Sequence, residues 1–161
     1  SGREKRVKNL KYLSLIAAIF TGEYFLKNRM EKELESGKTR EILKGRILLR
    51  KYHNEGACLN LGEKKSKAVA AVSLLLTAAL SLVFLFTLTK RGCAALKTGL
   101  SLLLGGAWSN TYDRLKRKYV VDYFSFNVKW KPLRQIIFNL SDFCILIGAL
   151  VVAFQGDSIA D

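Results

Sequence analysis

Hydrophobic and polar positions separate along this chain on the scale of whole segments rather than alternate residues. From Ala68 to Thr89 the chain runs 22 residues without a charge, and a helix needs about 20 apolar residues to cross a bilayer core. Only Ser73, Thr77, Ser81, Thr87 and Thr89 interrupt the run. They do not form the polar stripe that an amphipathic helix of a soluble protein carries. Weaker apolar segments occur at 10–26, with Lys11 and Glu23 near its ends, at 93–112, which includes Lys97, and at 135–154. The pattern predicts an all-α integral membrane protein: one membrane domain over residues 1–161, with four transmembrane helices at about 10–26, 68–89, 93–112 and 135–154.

The polar segments between these spans differ in character. Within 27–66, the stretch NRMEKELESGKTREILK has helical propensity with a break at Gly37. The following GRILLRKYHNEGACLNLGE reads as short strands around the turn Asn54-Glu55-Gly56. A small β-containing platform is therefore expected between helices 1 and 2, at about 40–62, lying on the membrane surface. Lys90 and Arg91 make a short basic loop, and 113–134 holds seven Lys or Arg and the single proline, Pro132.

The formal net charge of +14 would suggest nucleic acid in a soluble protein. Beside apolar spans it points to membrane lipids, through anionic headgroups, and no nucleic-acid partner is expected. Cys58, Cys93 and Cys144 are odd in number and have neither CxxC nor metal-ligand spacing, so they imply no disulfide. The opening Ser-Gly reads as a tag-cleavage scar, and the apolar segment that follows has no small-residue cleavage site of a signal peptide before the polar region.

Candidate chemistry concentrates late in the chain. Asn110 and Asp113, and again Asn139 and Asp142, stand three positions apart, which on a helix is one face. A third carboxylate, Asp122, sits between them in YVVDYFSF. Ionisable groups in apolar helices are costly and usually face a bundle interior, where they function. His53 is the only histidine and falls in the platform, so no His-based nucleophile pair is available. Neither a metal-ligand cluster nor a cofactor motif is present, and no metal or cofactor is expected. Paired carboxylates remain. Two that share a proton split their apparent pKa values, so one can activate a water while the other polarises a carbonyl. Plainer roles stand beside this one. The asparagines serve equally as interhelical hydrogen-bonding groups, and Asp113 with Arg114 as an interfacial ion pair. Gly105, Gly106 and Ala107 suit close helix packing, while Trp108, Tyr112, Tyr123, Phe124, Phe126 and Trp130 suit interfacial anchoring.

GGAWSNTYDRL, YVVDYFSF and IIFNLSDF, in that order and preceded by RKYHNEGAC, resemble the signature blocks of the lipoprotein signal peptidase (signal peptidase II) family. That family shows G-N-x-x-D-R at the end of its third span, V-V-D-F in the next loop, F-N-x-A-D in its fourth span, N-x-G-A in the platform and D-x-x-x-K at the end of the first. The matching positions are Asn110, Asp113 and Arg114; Asp122; Asn139 and Asp142; Asn54, Gly56 and Ala57; and Glu23 with Lys27. Glu23 stands where the family has aspartate, Ser109 where it has glycine and Ser141 where it has alanine, and Cys58 to Asn60 departs from the usual platform sequence.

The resemblance implies an aspartic endopeptidase that cleaves the signal peptide from a diacylglyceryl-modified prolipoprotein just before the lipidated cysteine. It also implies inhibition by globomycin-type cyclic peptides. Asp142 takes one catalytic place because it lies in an apolar span with Asn139 beside it. Asp122, in an apolar stretch able to reach the membrane mouth, takes the other, where the resemblance also puts it. Asn54, Gly56, Asn110, Asp113, Arg114, Asn139, Glu23 and Lys27 then support the site or bind substrate. An even span count with the resemblance places both termini in the cytoplasm of a bacterial cell, the platform on the extracytoplasmic side and the site toward the outer face. Charge counting argues the other way, with 19 of 27 Lys and Arg outside, although the rule weighs charges close to span ends. An inactive homologue that binds lipidated peptides, or a small proton-coupled carrier, are the alternatives.

Overall fold

The computed structural model of the protein describes residues 2–56 and 65–155. Elements follow in the order α1 (Gly2–Glu33), β1 (Thr39–Ile42), β2 (Ile47–Asn54), α2 (Ser66–Thr89), α3 (Ala94–Lys116), β3 (Val120–Phe126), α4 (Lys131–Gln135) and α5 (Leu140–Gln155). The architecture is mostly helical with a small three-stranded antiparallel sheet in the order β1-β2-β3. Among the described residues, α2 alone is long and apolar enough to cross a membrane, and α5 is a shorter apolar helix.

Helix α3 is the axis of the bundle, with α1, α2 and α5 all packed on it. Its buried positions include the small residues Gly99, Ser101, Gly105, Gly106 and Ser109, interspersed with Leu96, Leu100 and Leu104. A Cβ at Gly148 of α5 would stand 2.5 Å from both the Gly99 carbonyl oxygen and the Leu103 nitrogen, and one at Gly106 would stand 2.5 Å from the Ser141 carbonyl oxygen. Backbone therefore meets backbone along the α3–α5 seam, the approach that small residues permit between apolar helices. Gly148→Val is expected to force the seam apart and destabilise the fold by about 1–3 kcal/mol or more. Thermal unfolding in detergent should register this as a lowered melting temperature. Gly22→Ala, within α1 and with nothing within 4 Å of the added carbon, should leave it unlowered or slightly raised.

One end of the bundle gathers the start of α1 and the α2–α3 connection. Lys5 donates to the Thr89 carbonyl, Asn9 Nδ2 to the Leu88 carbonyl at 3.0 Å, and Lys97 Nζ to the Lys90 carbonyl at 2.8 Å. Tyr12, Phe84, Leu88, Leu96, Leu100 and Leu104 form the apolar cluster beside it. At the other end the sheet covers a second cluster, in which Leu34, Leu49, Val121, Tyr123 and Phe124 pack with Phe126, Phe138 and Phe143.

The platform differs from the sequence reading in three ways. Helix α1 continues to Glu33, but beyond Gly37, held at φ +79°, the helix-prone residues Thr39–Ile42 become a strand because β2 recruits them edge to edge. The hairpin turn lies at Leu43 and Lys44, both with positive φ, and closes by Gly45 N–H donating to the Ile42 carbonyl at 3.1 Å. The Asn54-Glu55-Gly56 stretch instead follows the end of β2. Third, the sheet is not confined to the α1–α2 connection, because Val120–Phe126 adds β3 along β2, with Tyr52 opposite Asp122. Ala57 and the Cys58 to Asn60 stretch lie outside the described residues.

Candidate active site

The expectation that Asn139 and Asp142 share one face of a continuous fourth helix is corrected. Residues 136–139 run extended after α4, with Phe138 bridging Phe124, and α5 begins only at Leu140. Asn139 and Asp142 are instead the two halves of a capping box. Asn139 Oδ1 accepts the Asp142 N–H at 3.0 Å, and Asp142 Oδ2 accepts the Asn139 N–H at 2.9 Å. Two backbone donors that the helix start would leave unpaired are thereby satisfied. The N-x-x-D spacing keeps its significance for a reason other than helical periodicity.

Asn139, fully buried, also reaches the strand. Its Nδ2 donates to Asp122 Oδ1 at 2.9 Å and lies 3.1 Å from Asn110 Oδ1 and 3.3 Å from the Val121 carbonyl. Asn110 Nδ2 donates to Asp142 Oδ1 at 3.2 Å, and Asn54 Nδ2, from the end of β2, to Asp122 Oδ2 at 3.2 Å. Asn54 Oδ1 accepts the Gly56 N–H at 3.0 Å, and the Gly56 carbonyl faces Arg114 Nη2 at 3.4 Å. Asp122 and Asp142 thus share Asn139, and both line a groove of about 580 Å³ bounded by α2, α3, α5 and the ends of β2 and β3. Burial first, and the Asp142 carboxylate second, push the Asp122 carboxyl up from its ordinary value to about 8.

Asp113 is placed differently. It pairs with Lys27 Nζ at 2.9 Å and Arg117 Nε at 3.1 Å, and accepts the Val121 N–H at 3.2 Å. The cations on Asp113 are Lys27 and Arg117 in place of the alternative partner Arg114, because one helical turn brings Arg117 alongside Asp113 whereas adjacent residues diverge. Lys27 has no solvent exposure. Its remaining protons go to Ser109 Oγ at 2.9 Å and Asn110 Oδ1 at 3.0 Å, so all three of its donors are used.

Glu23 faces the start of α5. Its Oε1 accepts the Ser141 N–H at 2.5 Å and the Ser141 hydroxyl at 2.8 Å, and its Oε2 accepts the Tyr123 hydroxyl at 2.8 Å. Tyr123 is therefore not an interfacial anchor: it is buried, its ring in the apolar cluster under the sheet and its hydroxyl on Glu23. Reading aromatics as membrane-surface residues misses its hydroxyl on this buried polar network, and the signal for it is the pair Glu23 and Ser141 on apolar segments. His53 is exposed, stacked on Tyr119 with ring centroids 3.8 Å apart, and within 2.8 Å of Glu31. Among the described residues no group of His, Cys, Asp and Glu is arranged to hold a metal ion.

A family model described as Signal peptidase (SPase) II matches residues 15–156. A lipoprotein signal peptidase of Clostridium novyi is 30% identical over 125 residues, covering 76% of this chain and 80% of that protein. One of Clostridium acetobutylicum is 33% identical over 115 residues, 70% of this chain and 71% of that protein. The fold matches a bacterial membrane enzyme solved by the in meso method at 2.3 Å resolution, with a TM-score of 0.76 at 19% identity, covering 92% of this chain and 89% of that one.

Proposed function

The chain belongs to the signal peptidase II family, and from that premise we propose that it removes lipoprotein signal peptides as an aspartic endopeptidase, with Asp122 and Asp142 as its catalytic pair. The observation that carries the aspartic reading is the shared Asn139, which contacts both carboxyl groups at the wall of one groove. Asp122, with its raised pKa, holds the pair's proton at neutral pH and polarises the scissile carbonyl. Asp142 accepts two N–H donors and takes the proton of the attacking water. Asp113 is already occupied by two cations, which supports a structural rather than a catalytic part for it. Gly56 and Arg114 hold the groove's rim, and the apolar walls from α2 and α5 suit the lipid-modified end of a prolipoprotein. The same walls suit a globomycin-type cyclic peptide.

Purified protein incubated with a diacylglyceryl-modified prolipoprotein should release the signal peptide. Binding without cleavage would leave an inactive homologue as the reading. Asn54→Ala removes one of the donors to Asp122 and should lower turnover by about 1–3 kcal/mol, roughly 5- to 150-fold, with the fold intact. Unchanged turnover would remove Asn54 from the site.

We further propose four spans in the bacterial cell membrane, contacting membrane lipids, with α1, α2, α3 and α5 crossing, both termini cytoplasmic and the sheet outside. In support, the start of α1, the α2–α3 connection and the Gly99–Val151 contact late in α5 gather at the end opposite the sheet. In a variant free of native cysteines, an impermeant thiol reagent should label Lys38→Cys on intact cells and spare Lys8→Cys. The reverse pattern would invert the topology.

A further inference from the structure

We propose that Glu23, Tyr123 and Ser141 form a positioning clamp that fixes the strand bearing Asp122 against the helix bearing Asp142; the proposal rests on the assignment of those two aspartates as the catalytic pair. Each anchor is the chain neighbour of one acid. Ser141 immediately precedes Asp142, and Tyr123 immediately follows Asp122. The single carboxylate of Glu23, 4% exposed, takes hold of both. One oxygen accepts the Ser141 N–H and hydroxyl, and the other accepts the Tyr123 hydroxyl. The Tyr123 oxygen in turn accepts the Leu140 N–H at 3.0 Å, which closes the ring.

Leu140 and Ser141 open α5, so their N–H groups have no partner within the helix. They are satisfied by α1 and β3, and the direction in which α5 starts is thereby set by those two elements. None of the three clamp residues lines the groove, so they act through the aspartates' backbone and not on substrate. The three positions also form a matched set. In the signature blocks given above the family has Asp, Phe and Ala at these places, and this chain has a carboxylate one methylene longer together with the two hydroxyls that it engages. A Phe at 123 or an Ala at 141 would leave Glu23 short of partners, and an Asp at 23 would fall short of them.

The test uses the full chain with the Tyr123→Phe, Ser141→Ala and Glu23→Asp variants, the triple variant and Asp122→Asn. Measured are kcat, KM, the pH profile and the melting temperature. Misplacing the acids should cost Tyr123→Phe and Glu23→Asp about 10- to 100-fold in kcat, with KM little changed and the alkaline limb of the profile shifted. Because the three residues close one ring, the triple variant should be about as slow as the slowest single variant and not slower by the product of the losses. Variants that lower only the melting temperature, with wild-type kcat and pH profile, would overturn the clamp, as would a triple variant whose loss in kcat is the product of the single losses. Asp122→Asn separates the two readings: if it is inactive while Tyr123→Phe behaves as wild type, the clamp alone fails, and if it is active, the catalytic pair fails and the clamp with it.

Discussion

Asp142→Asn and Asp122→Asn are each expected to lower cleavage of a lipidated prolipoprotein by about 10²- to 10⁴-fold or more, the span that positioned acid–base groups contribute. Asparagine keeps the size of the side chain and a hydrogen-bonding oxygen but cannot exchange a proton. On the proposed assignment the two acids work as a unit, so the double variant should be no slower than the slower single one. Folding should survive, and the sign of the Asp122 shift says why. Its carboxyl titrates near pH 4 when unfolded and at about 8 when folded. The contribution it makes to stability is present in full below about pH 4 and is lost as pH rises through about 8. At pH 7 the unfolded chain is already ionised there, so the buried acid is a liability that an asparagine in its place would not carry. Asp122→Asn should therefore melt at or above the wild-type temperature at pH 7, with the difference vanishing at pH 3. Activity of the wild-type protein should decline above about pH 8, as the pair loses its shared proton. An active Asp122→Asn beside an inactive, folded Asp113→Asn would move the catalytic role to Asp113.

Lys27→Met should be the most destabilising of the site substitutions. It leaves Asp113 buried without its nearest cation and strips Ser109 Oγ and Asn110 Oδ1 of a donor. Removing one member of a buried pair costs about 3–5 kcal/mol. Arg117 stays bound to the other oxygen of Asp113, which argues for the lower part of that range. Adding Asp113→Asn removes the stranded charge, so the double variant should recover much of the loss. Thermal unfolding of the two single variants and the double variant measures this directly, and strictly additive losses would contradict the pairing. Because Asp113 also accepts the Val121 N–H next to Asp122, the double variant should remain impaired in turnover even where it folds.

Much of this arrangement is readable from the chain alone, though not always for the reason first supplied. The uncharged run 68–89 corresponds to α2, Ser66–Thr89, because nothing in it competes with a helix. Asn139 and Asp142 stood out by their spacing, yet they meet across a helix start and not along a helix face. The turn after Ile42 was obscured because Leu43 and Lys44 adopt positive φ where Gly, Asn or Asp is usual and its one glycine, Gly45, comes only third, while Asn54-Glu55-Gly56 carries a stronger signal at a strand's end. Strand β3 was illegible as such: VVDYFSF is an uninterrupted apolar run apart from Asp122 and Ser125, and only its long-range pairing with β2 decides its form. The partner of Lys27 was equally out of reach, since 86 positions of chain separate it from Asp113.

The sheet places one acid on a body separate from the other. Asp122 rides on β3 and Asp142 on α5, and the sheet meets the start of α5 through the Phe124–Phe138 bridge and a few side-chain contacts. If the two aspartates are the catalytic pair, that pair exists only while the two bodies are docked, so displacement of the sheet should disarm the protein as surely as loss of an aspartate. A small molecule need not enter the groove to inhibit it. One that wedges between sheet and bundle and lifts β3 by an ångström or two would break the Asn139 contact with Asp122 and leave the groove open but inert, bound by inhibitor at a place where substrate never competes.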